Sequence, residues 1–140
     1  VSAKINFRIL PGQTNQSVEE KVKEIINDKR VSVYAGEKAE PSQSTPANSW
    51  GFKLLQKTSA QVFPDVVVAP SLMIGSTDSK HFADVTDATY RFFPARMDNE
   101  AIGSIHGINE RIKISNYMET ILFYETLLNN MQSFSVESRK

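Results

Sequence analysis

One of the two histidines in the chain stands in a polar turn, Ile105-His106-Gly107-Ile108-Asn109-Glu110-Arg111-Ile112. Neutral imidazole is the commonest protein metal ligand, and a turn can aim it. A zinc site takes three or four protein ligands, yet the chain has no cysteine and only His81 besides. The turn therefore reads as one part of a site whose other parts are missing here. About thirty residues upstream lies a second polar turn, Gly75-Ser76-Thr77-Asp78-Ser79. Its glycine permits close backbone approach and its hydroxyls are neutral donors.

The elements that must carry these turns alternate between strand and helix patterns. Residues 3–9 place Ala3, Ile5, Phe7 and Ile9 on one face and Lys4, Asn6 and Arg8 on the other, which predicts a strand ended by Pro11-Gly12. Ser17 with Glu20 has capping-box spacing, and Val18, Val22, Ile25 and Ile26 follow as a helical stripe. Val31, Val33 and Ala35 alternate again, so residues 1–35 read as a β-α-β unit with parallel strands. Residues 36–47, rich in Gly, Pro, Ser and charge, read as a linker.

From 48 to 62 the pattern predicts a helix closed by Pro64. Val66-Val67-Val68-Ala69 has the composition of a strand buried on both faces, and Thr89 to Phe93 gives another strand candidate. Asn116 with Glu119 predicts a cap for the last helix, with Tyr117, Ile121, Tyr124 and Leu128 as its core stripe. The residues from Ser133 to Lys140 read as a frayed polar tail. The expected class is α/β, with both polar turns at the C-terminal ends of strands, where open α/β sheets bind ligands.

A chain of 140 residues is enough for one domain with a core. Sixteen basic and sixteen acidic side chains cancel, which points away from nucleic acid and anionic membranes. No apolar run approaches the ~20 residues of a membrane span. Val1-Ser2-Ala3-Lys4 is neither an initiator methionine nor a signal peptide and reads as the middle of something longer. Asn15-Gln16-Ser17 is a glycosylation sequon, relevant only to a secreted chain.

Four segments resemble a known family: Ile5–Gly12 (INFRILPG), Ile74–Phe82 (IGSTDSKHF), Tyr90–Pro94 (YRFFP) and Ile105–Ile112 (IHGINERI). In order and spacing they are similar to the C-terminal portion of the di-zinc aminoacylase/carboxypeptidase family. The branch resembled is carboxypeptidase S (Gly-X carboxypeptidase) with the secreted N-acyl-amino-acid hydrolases. The resemblance implies a phosphorylase/hydrolase-like zinc-peptidase catalytic domain with a ferredoxin-like lid. Residues 1–35 would be the second half of the lid, 36–47 a linker and 48–132 the C-terminal part of the catalytic domain, with 133–140 as the tail.

By that resemblance His106 is a terminal ligand to one of two zinc ions, and Asn109 and Glu110 either orient its imidazole or cap the turn. Gly75, Ser76 and Thr77 either face the substrate's carboxylate or scissile carbonyl, or form an ordinary β-turn in which Asp78 is a stabilising residue. Arg8 either pairs with the substrate's α-carboxylate or is a solvated lid residue. His81 and Arg91 read as structural. The general base and remaining metal ligands would lie in the missing N-terminal half, so no catalytic residue is expected here.

The implied activity of the complete protein is hydrolysis of N-acyl amino acids or short peptides with a free carboxylate. A vacuolar, lysosomal or secreted compartment and a homodimer through the lid go with it. The alternative reading is a non-catalytic α/β module that works by association with a partner segment, such as the missing N-terminal half.

Overall fold

The computed structural model describes residues 1–36, 40–75 and 77–137, with side chains as far as Gln132. The described residues form helices and loops, in two compact units. One comprises Val1–Thr45 with Met73–Thr89, the other Pro46–Leu72 with Tyr90–Lys140.

In the first unit, Pro11-Gly12 makes the expected turn. Gly12 has φ 87°, a left-handed value that a residue with a Cβ adopts at a cost, and Gln13 N–H donates to the Leu10 carbonyl at 3.1 Å. Helix α1 (Asn15–Ile26) follows, capped by Thr14. The capping box is reciprocal: Ser17 N–H donates to Thr14 Oγ1 at 3.1 Å, and Thr14 N–H donates to Ser17 Oγ at 3.0 Å. Ser17 is thus the third helical residue and not the cap, a correction to the Ser17–Glu20 reading. The helix ends at Asn27, φ 42°. Of the expected stripe, Val18 and Val22 are half-buried while Ile25 and Ile26 are exposed. The sequon nitrogen, Asn15 Nδ2, is buried with no hydrogen-bond partner among the described residues. Elsewhere in this unit, Thr45 Oγ1 accepts from Thr89 N–H at 2.8 Å and donates to the Thr89 carbonyl at 2.9 Å.

In the second unit, helix α2 (Trp50–Val62) packs on the long helix α4 (Ile114–Glu137), with the short α3 (Asn99–Ser104) before it. The shared core is small: Leu54, Phe63 and Phe123 are buried there with a fully buried Pro94, among the described residues. Phe123 is fully buried, with ring centroids 6.2 Å from Phe63, 5.3 Å from Phe92 and 5.7 Å from Tyr124. Most buried polar groups of the seam find partners, as burial favours; Ser59 Oγ is buried without one among the described residues. Asn130 Nδ2 donates to Thr58 Oγ1 at 3.0 Å and Gln61 Oε1 at 2.7 Å, and Thr120 Oγ1 donates to the Pro94 carbonyl at 2.9 Å.

The helical register of α4 departs from expectation. Its buried positions are Asn116, Thr120, Phe123 and Asn130, whereas Tyr117, Ile121, Tyr124 and Leu128 are exposed. Beside Phe123, polar residues that satisfy their hydrogen bonds on neighbouring backbone and side chains have taken the inner face. Asn116 is not a cap, because α4 begins at Ile114; its Nδ2 donates to the Arg96 carbonyl at 2.6 Å. The helix also continues to Glu137, through residues expected to fray.

No strand forms among the described residues. Residues 3–9, 31–35, 66–69 and 89–93 carry no ladder, and Ile5, Phe7, Val31, Val67, Phe92 and Phe93 are exposed. A strand's hydrogen bonds lie on another strand, so alternation alone marks a capacity for pairing. An apolar cleft of about 260 Å³ opens between Val66–Ala69 and Phe92–Ala95.

Arg96 ties the loops of this unit together. Its Nη1 and Nη2 donate to Asp65 at 2.8 Å each, its Nε donates to Glu119 at 3.2 Å, and its guanidinium lies 5.3 Å from the Phe63 ring centre. Hydrogen bonding from Arg96 lowers the Asp65 carboxyl from 3.8 to about 2. The pairing therefore contributes stability above the unfolded-state value of 3.8 and loses it as pH falls through about 2. Both side chains are solvent-accessible, which keeps the contribution small and screened by salt. Asp65→Asn is expected to lower the thermal midpoint at pH 6 and to match the parent once the pH reaches about 2. A gap that persisted below that pH would place the effect elsewhere.

Candidate functional site

The His106 turn lies in the second unit, between α3 and α4. Asp98 caps α3, its Oδ1 accepting from Ala101 N–H at 2.9 Å, and Ile105 ends it. The chain then reverses tightly. Gly107 N–H donates to the Ser104 carbonyl at 2.8 Å, and a Cβ at position 107 would sit 3.1 Å from that oxygen, so glycine suits the reversal. Two non-glycine residues hold left-handed backbone: His106 with φ 61° and Asn109 with φ 65°. Asn and His enter this region more readily than most residues.

Side chains of the turn's own far end fasten it. His106 N–H donates to Glu110 Oε2 at 3.1 Å, and Arg111 Nη1 donates to the Asn109 carbonyl at 3.1 Å. Arg111 Nη2 also pairs with Glu100 in the first turn of α3. Lys113 Nζ donates to Asp98 Oδ2 at 2.7 Å. Hydrogen bonding to Lys113 holds the Asp98 carboxyl below its usual range, and Asp98 in turn raises the Lys113 ammonium. Arg96, Asp98, Glu100, Ser104, Arg111 and Lys113 line much of a cavity of about 140 Å³ beside the turn.

The imidazole of His106 is exposed, and among the described residues no hydrogen bond engages its ring. Its donor chemistry thus fits one position of a zinc coordination set. The other positions are not filled nearby: among the described residues no group of three or more His, Cys, Asp or Glu side chains could hold a metal ion. Glu110 reaches the backbone of His106 and Asn109 contributes its left-handed backbone. The sequence did not single out Glu100, Asp98 or Lys113, although Asp98 three residues before Ala101 is a readable cap signal.

Apart from Arg91, the remaining expected residues that are described belong to the first unit. Gly75 makes a bend, and Ser76 lies outside the described residues. Thr77 caps a short 3₁₀ helix (Asp78–Phe82): its Oγ1 accepts from Ser79 N–H at 3.3 Å and shares a hydroxyl hydrogen bond with Ser79 at 2.6 Å. Asp78 and the exposed His81 are part of that helix. Arg8 is exposed on a segment without regular secondary structure, and Arg91, in the second unit, is half-buried.

The chain is similar to several proteins named as peptidases or hydrolases. The chain is 39% identical over 134 residues to the probable carboxypeptidase S-like 2 of Dictyostelium discoideum, covering 95% of this chain and 26% of that protein. It is 39% identical over 131 residues to the human N-fatty-acyl-amino acid synthase/hydrolase PM20D1, covering 91% of the chain and 26% of the relative. Carboxypeptidase S of Saccharomyces cerevisiae is 26% identical over 99 residues, 64% of the chain and 17% of its own length. The chain is therefore a homologue of the carboxypeptidase S-like and N-fatty-acyl-amino acid hydrolase proteins, matching their C-terminal portion. It spans about a quarter of the length of the curated relatives it matches. No family profile and no solved structure matches it. Among the described residues no helix is long and apolar enough to cross a membrane.

Proposed function

We propose that the complete protein is a zinc-dependent amidohydrolase that cleaves the amide bond of N-acyl amino acids or short peptides with a free carboxylate. The observation that carries this reading is 39% identity, across 95% of the chain, to a carboxypeptidase S-like protein, with the His106 turn inside the matched span. Identity along nearly the whole chain with hydrolases also favours an enzyme over a non-catalytic module. The order of the segments supports residues 1–35 as half of a lid and 48–132 as the C-terminal part of a catalytic α/β domain. In that setting the extended apolar segments would gain strand partners.

His106 would hold one of two zinc ions through a neutral ring nitrogen. Bound zinc supplies a Lewis acid that makes a water acidic and polarises the scissile carbonyl. Gly75, Ser76 and Thr77 would donate to the substrate, and Arg8 would pair with its α-carboxylate, a task suited to the planar guanidinium fork. The general base would come from outside these residues, and the lid would carry a homodimer contact. A vacuolar, lysosomal or secreted location fits the same lineage.

The direct test is the metal content of the full-length protein and its release of amino acid from N-acyl amino acids. A pure protein without zinc and without turnover on such substrates would sink the proposal. Arg8→Ala is expected to raise KM by about 10–100-fold with kcat little changed, the size of a lost charge-assisted hydrogen bond. An unchanged KM would leave Arg8 as a solvated lid residue.

A further inference from the structure

We infer that Glu110 is a positioning residue for His106, acting on the backbone of the turn and not on the imidazole. The inference rests on the reading of His106 as a zinc ligand. Its Oε2 accepts from His106 N–H at 3.1 Å, which joins the far end of the turn to the residue that presents the ring. The bond closes over a stretch in which His106 and Asn109 both hold left-handed backbone, at φ 61° and 65°. Such backbone persists only when its surroundings determine it. The neighbouring Arg111 grips the other side of the same turn, donating to the Asn109 carbonyl at 3.1 Å while pairing with Glu100 on α3. One adjacent pair of opposite charges thus holds an N–H and a carbonyl of the turn.

The chemical consequence follows from the direction of the His106 Cα–Cβ bond, which the φ value sets. Without the Glu110 acceptor, His106 N–H loses its partner and the residue is released toward ordinary right-handed or extended backbone. The imidazole then leaves its line of approach, and zinc–nitrogen bonds tolerate only about 0.2 Å of misplacement. Both ring nitrogens stay outside the turn's own hydrogen bonds, so the clamp fixes the ligand without occupying it.

The test uses the full-length zinc protein and compares Glu110→Ala, Glu110→Gln and His106→Ala. Zinc affinity is read by competition with a chromophoric chelator, coordination by the visible spectrum of the cobalt-substituted protein, and the clamp by hydrogen exchange of the His106 amide. Glu110→Ala is expected to weaken zinc binding about 10–100-fold, to alter the cobalt spectrum and to speed exchange at His106. Glu110→Gln, which keeps an acceptor oxygen, is expected to stay within about threefold of the parent. Parental affinity in Glu110→Ala, or equal losses in both variants, would overturn the inference. If Glu110→Ala does not fold, an unprotected His106 amide in the parent overturns it on its own. Parental affinity in His106→Ala marks failure of the ligand reading instead.

Discussion

Replacing His106 in the full-length protein is expected to remove one zinc ion and to lower kcat/KM about a thousandfold or more. That is the scale of losing several kcal/mol of Lewis-acid stabilisation at the reacting carbonyl. Two variants separate ligand loss from damage to the turn. Alanine removes the imidazole but sits poorly at φ 61°, whereas asparagine removes it and tolerates left-handed backbone. Both variants should lose zinc, as measured by elemental analysis after gel filtration, while His106→Asn keeps the parental thermal midpoint. Full zinc content and rate in His106→Asn would show that this histidine is an ordinary loop residue and that the ligands lie wholly outside the turn.

The second large effect concerns the core. Phe123→Ala is expected to lower the unfolding free energy by about 3–5 kcal/mol, measured by urea denaturation of the 140-residue chain. Against the ~5–15 kcal/mol total of ordinary domains, this removes a large share of the stability of the second unit. The reason is concentration: Phe123 is fully buried, lies beside three aromatic rings and shares a small apolar core with Leu54, Phe63 and Pro94 among the described residues. Leu128→Ala, at an exposed position of the same helix, should cost less than about 1 kcal/mol in the same chain. Equal losses at positions 123 and 128 would mean that the apolar stripe, and not the polar seam, faces α2.

Those two positions show where sequence reasoning succeeds and where it stops. The existence of α1, α2 and α4 was legible, because helix hydrogen bonds are local and their apolar periods are strong. The inner face of α4 was not. Two stripes one residue apart compete for it, and hydrophobicity favours Tyr117, Ile121, Tyr124 and Leu128. The winning stripe depends on the Pro94 and Arg96 carbonyls and on Thr58, distant in sequence, to satisfy Asn116, Thr120 and Asn130. The start of α1 slipped for a related reason, since Thr14 and Ser17 are both good caps and only the folded box assigns their roles. Strands were the least legible, because pairing needs partners and the chain spans about a quarter of its relatives. At the candidate site, the turn and His106 were readable from type and spacing. The Arg96 hub was not, with partners 31 and 23 residues away.

The buried Nδ2 of Asn15 ties a chemical modification to time. The nitrogen that would carry a sugar is buried in the folded chain, at the start of α1. A transferase in a secretory lumen would reach it more readily before the chain has folded around it. Sugar at Asn15 would therefore date itself to the interval before this part of the chain has folded.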